Sequence, residues 1–204
     1  MSNKPTLYYV YDPMCSWCWG FKPTWNRIEE QLKNKVDIQY VVGGLAADSD
    51  EPMPMLMREQ IASYWKKIEN LLGTQFNFDF WTVNTPRRST YPSCRAMLVA
   101  RGEGREKAML NAVQTAYYLQ AKNPSDVSVL ADCAESIGLD RTAFLDAIKS
   151  QETQSALVDE LQFARSIGGN SFPSLFLQTN SGVRELAVDY QQSQITVDQV
   201  NELV

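Results

Sequence analysis

The chain has 204 residues, 44% of them hydrophobic and 11% aromatic. That is enough to bury a substantial core in one domain, or in one domain carrying an insertion, and it excludes a disordered chain or a disulfide-stapled miniprotein. Lys plus Arg number 19 against 24 for Asp plus Glu, a net charge of -5 with no long basic run, so nucleic acid is not expected as a partner. There is no histidine, which removes Ser-His-Asp and Cys-His catalysis, His-ligated metals and an imidazole base, and leaves thiols, carboxylates, amines, phenols and the backbone to do any chemistry.

Leu7-Tyr8-Tyr9-Val10-Tyr11 is short, aromatic and stopped by Asp12-Pro13, and reads as a buried strand. It is too short for a secretory core of about 7–15 apolar residues. No stretch approaches the roughly 20 apolar residues that cross a bilayer, so a cytoplasmic protein with no membrane partner is expected. After Met14-Cys15-Ser16-Trp17-Cys18-Trp19-Gly20-Phe21 comes a helical pattern with Trp25, Ile28 and Leu32 on one face. Val36 to Val42 is a second strand stopped by Gly43-Gly44, giving a parallel βαβ opening.

Helices are then predicted in succession. The first carries Met57, Ile61, Tyr64, Ile68 and Leu71 and ends at Gly73; one runs from Pro92 to about Gly102, and one from Arg105 to about Lys122. One capped by Ser125 carries Val127, Leu130 and Ala134, and a shorter one is capped by Asp140. Thr74 to Tyr91 is irregular. A last long helix, about Thr153 to Ile167, precedes Gly168-Gly169, a strand at 172–178, a turn at Asn180-Ser181-Gly182 and an antiparallel return strand. Thr196 to Gln199 reads as a capping box for a closing helix. The expected architecture is α/β: a βαβ…αββα domain formed by 1–49 and 151–204, interrupted by an all-helical insertion at 50–150.

The chemistry concentrates at Cys15-Ser16-Trp17-Cys18, where the first strand hands over to the first helix. Cysteines three apart in a first helical turn share a face, with Cβ atoms about 5–6 Å apart. A modest adjustment brings them to disulfide distance. The helix dipole and unpaired N–H groups favour a thiolate at Cys15, the expected nucleophile, and Cys18, one turn deeper, would resolve the mixed disulfide. A buried structural pair is the plainer alternative. Zinc or an iron–sulfur cluster would want a second cysteine pair, whereas Cys94 and Cys133 are isolated. Pro173 opens a strand after a Gly-rich turn, a place where a cis peptide occurs but where trans is commoner.

Together these residues resemble the thioredoxin superfamily, and within it the DsbA-like branch, over the whole chain. The stretch Asp12 to Phe21 looks especially like bacterial DsbA-type protein-disulfide isomerases with a short cytosolic form. The resemblance implies that Cys15, Cys18 and a cis Pro173 form the redox site, that Pro23 kinks the first helix, and that the helical block is the branch's insertion. The DsbA dipeptide Pro-His is replaced by Ser16-Trp17, which removes the cation that makes DsbA strongly oxidising, so disulfide reduction or isomerisation is expected over net oxidation. Phe172 is bulkier than the Val or Thr usual before this proline, implying a more apolar substrate edge. Ser16, Trp17, Phe172 and Arg88 are expected to meet substrate, with Arg87, Arg88 or Arg95 receiving a carboxylate, for instance from glutathione. Trp17, Trp19 and Phe21 are expected to form an apolar rim, with Trp19 and Phe21 equally able to pack in the core, and Cys94 and Cys133 are expected to be buried helix residues. No bound cofactor is expected. A disulfide-containing protein or small thiol would be the substrate, and glutathione, as co-substrate, or a thioredoxin-type system the reductant. The same split fold also serves glutathione-dependent transferases or isomerases of the kappa-class and hydroxychromene-carboxylate type, which usually carry a lone Ser at the helix start. A thiol-independent chaperone-like module is the third reading.

Overall fold

The computed structural model describes residues 4–204. Strand β1 (Thr6–Tyr11) leads into helix α1 (Ser16–Leu32) and strand β2 (Asp37–Val42). Helices α2 (Met55–Leu72), α3 (Phe80–Val83), α4 (Tyr91–Gly102), α5 (Glu106–Tyr118), α6 (Val127–Ser136) and α7 (Arg141–Lys149) follow. Helix α8 (Gln151–Ser166), strands β3 (Ser174–Thr179) and β4 (Gly182–Leu186) and helix α9 (Ser193–Leu203) close the chain. The sheet order is β2-β1-β3-β4. β1 runs parallel to β2, with Tyr9 beside Tyr40, and antiparallel to β3, with Tyr9 beside Leu175. This is the thioredoxin-like α/β arrangement that the sequence predicts.

The period-two alternation of β1 explains its central place. Leu7, Tyr9 and Tyr11 enter one core with α1 residues Phe21, Trp25 and Ile28 and with Val197 and Val200 of α9. Val10 points the other way, onto Val41, Phe176 and Ala164 of α8. Each such side chain, fully buried, contributes about 1.5–3 kcal/mol. The first core runs on without a break into α4, α5 and α6 through Cys94, Met97, Val113 and Leu130. A partly buried network fastens the same junction. Arg101 donates to Glu106, Glu160 and the Tyr40 carbonyl, Glu160 accepts from the Val42 amide, and the Tyr11 hydroxyl donates to Glu106.

A separate aromatic cluster, Trp65, Ile68, Phe76, Phe80, Tyr117 and Tyr118 with Met14, sits behind the start of α1. Here the expected apolar line of α2 is corrected. Trp65 and Ile68 are the buried residues of that helix, while Tyr64 and Leu71 are exposed. Helix α5 also ends earlier than expected, because Ala121 takes a positive φ of 54° and the Lys122 amide folds back to Ala116. Ser125 does not cap α6, since its hydroxyl donates to the Ser89 carbonyl instead. Thr196 lies inside α9 and donates to Ala187, so it caps nothing. Asp140 does cap α7, accepting from the Ala143 amide at 2.8 Å. No described helix is long and apolar enough to cross a membrane.

Candidate active site

The chain leaves β1 at Tyr11 and makes a tight turn. The Asp12 carbonyl accepts from the Cys15 amide at 3.0 Å, and its carboxylate accepts from the Met14 amide at 2.8 Å. Cys15 is thereby placed at the N-cap of α1 in an extended conformation (φ -77°, ψ 115°), with no side-chain cap. Its thiol, 7% exposed, donates to the Phe172 carbonyl at 3.4 Å. Cys18 is fully buried one turn on, within hydrogen-bonding reach of Cys15. Burial pushes the Cys18 thiol up from the ordinary cysteine value, and the neighbouring Cys15 sulfur adds to this. The Tyr9 phenol lies against Cys18 and is likewise pushed up, first by burial. The Phe172–Pro173 peptide is cis, and Pro173 is buried.

Cys15 lines a cavity of about 360 Å³ together with Ser16, Trp17, Arg88 and Phe172. Cys18 and Pro173 are not among its lining residues. The three arginines considered for a carboxylate separate clearly. Arg87 is held by Asp126 at 2.5 Å, and Arg95 by Asp48 at 2.7 Å and by Gln154. Half-buried Arg88 makes no ion pair with any described residue, and its charge is felt by the Tyr117 phenol across the cavity. Trp17 stands on the cavity, edge-on to Tyr190 at 5.2 Å. Trp19 stacks on Tyr118 and donates to the Gln75 carbonyl, and Phe21 is core. Of the three rim aromatics only Trp17 therefore lines the cavity.

Two features went unread in the sequence. The far wall of the cavity is α2 and its approach, with Met53, Met57, Ile61 and Tyr64. The helical spacing of Met57, Ile61 and Tyr64 does not separate a cavity wall from a core, because both ask for the same residues, and Met53 lies ahead of that helix. The other is Asp12, fully buried beneath the turn. Its second oxygen accepts from the Leu45 amide and the Thr90 hydroxyl, both at 2.7 Å, and from the Cys94 thiol at 3.6 Å. Burial raises its pKa, and the donors around it pull only partly the other way. A buried acid following an apolar strand was the available clue. Among the described residues no three His, Cys, Asp or Glu side chains gather as a metal would require.

A thioredoxin family model matches residues 8–197. The chain belongs to the thioredoxin family. Its fold is shared with a candidate protein disulfide isomerase from Nitrosomonas europaea (TM-score 0.85, 23% identity, covering 98% of this chain and 97% of that one). The cytosolic disulfide reductase DsbM from Pseudomonas aeruginosa is similar too (TM-score 0.78, 23% identity, 97% and 98%), and has also been solved with GSH. At such identities the likeness is one of fold. A 2-hydroxychromene-2-carboxylate isomerase shares that fold as well, at TM-score 0.68 and 13% identity over 97% of this chain and 95% of that one. Among curated proteins, the ClpXP adapter protein SpxH of Halalkalibacterium halodurans is 25% identical over 190 residues, 90% of this chain and 61% of the relative. The Bacillus subtilis SpxH is 26% identical over 178 residues, 85% of this chain and 58% of the relative. The chain thus spans about three-fifths of the length of these relatives.

Proposed function

We propose that this thioredoxin-family chain is a cytosolic disulfide reductase or isomerase. The Cys15 thiolate attacks a substrate disulfide, forming a Cys15–substrate bond and releasing one substrate thiolate. Cys18 then gives its proton to a departing thiolate and attacks the Cys15 sulfur, which frees the second substrate thiol and leaves a Cys15–Cys18 disulfide. Two electrons have passed to the substrate. Two glutathione molecules, oxidised to glutathione disulfide, return them. The raised pKa of Cys18 keeps it protonated until Cys15 is bonded and no longer competes for negative charge.

The observation that carries this reading is the one cavity that Cys15, Trp17, Arg88 and Phe172 line together, with Cys18 within hydrogen-bonding reach of Cys15. Ser16, Trp17 and Phe172 would contact the substrate chain, and Arg88 its carboxylate. The cytosolic setting and the use of glutathione take their support from DsbM, a cytosolic reductase solved with GSH. Insulin-disulfide reduction by wild type, Cys15→Ser and Cys18→Ser tests the assignment. Cys15→Ser is expected to fall to background, and Cys18→Ser to accumulate mixed disulfides. Insulin reduction that survives Cys15→Ser would refute it. A glutathione-dependent isomerase would keep its turnover in Cys18→Ser, and an adapter of the SpxH kind would bind its protein partner without either thiol.

A further inference from the structure

Phe172 contributes two groups to the site: a ring on the cavity wall and a carbonyl that accepts from the Cys15 thiol. The ring lies against Gly43, whose missing side chain makes the room, since a Cβ there would stand 1.9 Å from the Phe172 ring. A second neighbour is the Arg165 guanidinium, 5.5 Å from the ring centroid. Arg165 sits in the last turn of α8 and reaches both loops that frame the ring. It donates to the Gly169 carbonyl at 2.5 Å and to the Gly43 carbonyl at 2.7 Å. Gly169 leaves no room for a side chain, since a Cβ on it would meet the Ala164 carbonyl at 2.8 Å and the Val10 methyls at 3.1 and 3.2 Å.

From this geometry we infer that Arg165 is a positioning residue for the redox site. By pinning the Phe172 ring against Gly43, it sets where the Phe172 carbonyl meets the Cys15 sulfur. The inference rests on the redox reading of Cys15 and Cys18, and it concerns the balance between their two states. In the resting dithiol, before Cys15 loses its proton for attack, its S–H donates to that carbonyl; in the disulfide there is no S–H to donate. The contact therefore favours the reduced pair, and loosening it favours the oxidised one. An exposed arginine far along the sequence from the cysteines is in this way coupled to their equilibrium.

The test is an equilibrium titration of the Cys15/Cys18 pair with glutathione and glutathione disulfide, in which one dithiol and one glutathione disulfide exchange for one protein disulfide and two glutathiones. Arg165→Met removes the bonds to the Gly169, Gly43 and Gly44 carbonyls and the ring contact, and should move the equilibrium about threefold toward the protein disulfide, the size expected for one weak hydrogen bond. Arg165→Lys keeps a cation over the ring and one donor, and should recover much of the wild-type constant. Gly43→Ala displaces the ring by direct contact and should move the constant in the same direction as Arg165→Met. Thermal unfolding of each variant identifies a fold that has failed, and the remaining variants then decide. Constants in Arg165→Met and Gly43→Ala equal to wild type would overturn the inference, as would Arg165→Lys shifting as far as Arg165→Met. A wild-type pair that forms no disulfide at any glutathione ratio would instead overturn the redox reading itself.

Discussion

The same residue type behaves in opposite ways at two places in this molecule. At the junction of β1 and α1, Cys15 caps a helix on a cavity wall with Cys18 behind it. Inside α4 and α6, Cys94 and Cys133 are buried in helix interiors, Cys94 with its thiol donating to Asp12. Burial pushes the Cys94 thiol well up, with Asp12 adding to it, and pushes Cys133 up to about 11. A thiol becomes reactive through its place at a helix start beside a cavity, and composition alone does not supply that place.

The sharpest way to break this contrast is through Asp12, which touches both regions: the Met14 turn ahead of Cys15 and the thiol of Cys94. Asp12→Asn loses an acceptor for buried donors and should cost about 1–3 kcal/mol of stability. The pH dependence has a definite sign. The folded-state pKa of Asp12 is raised above its ordinary 3.8, so its contribution to stability is full below that value and is lost as pH rises through the raised one. Denaturant titrations from about pH 4 to 7 should find the advantage of wild type over Asp12→Asn shrinking with pH. A constant difference would contradict this.

A second effect sharpens the substrate side. Arg88→Gln should lower kcat/KM for glutathione disulfide about tenfold, the size of one charge-assisted hydrogen bond, and leave the cationic disulfide cystamine unaffected or improved. Equal losses on both would show that Arg88 does not read charge. Smaller still, Cys94→Ala and Cys133→Ala should retain full insulin-reducing activity. Cys94→Ala should cost about 1 kcal/mol in unfolding, and Cys133→Ala, at a slightly exposed position, less. At the low end, Tyr118→Phe removes a buried hydroxyl that has no partner among the described residues, and should leave the melting temperature unchanged or slightly raised.

Much of the fold could be read from local pattern. The alternation of β1, the helical face of Trp25, Ile28 and Leu32, and the Asn180-Ser181-Gly182 turn each match what formed, because each depends on neighbours in sequence. Reading failed where distant partners decide. Ser125 had cap chemistry but found the Ser89 carbonyl first. Arg87, Arg88 and Arg95 are equivalent as letters, and only the positions of Asp126 and Asp48 leave Arg88 unpaired among them. Arg165 offered no sequence clue, since its value lies in two carbonyls and a ring that the fold brings from elsewhere.

The carboxylate of Asp12 joins three stretches of chain: the turn before Cys15, the loop after β2 at Leu45, and the start of α4 at Thr90. A chimera that grafts a foreign helical block onto this sheet would need a donor in the place of Thr90, or the acid would be left short of partners directly under the sulfur. The helices after β2 are therefore part of the support on which the turn before Cys15 rests, and replacing them would change how that turn is held even if every residue near the sulfur were kept.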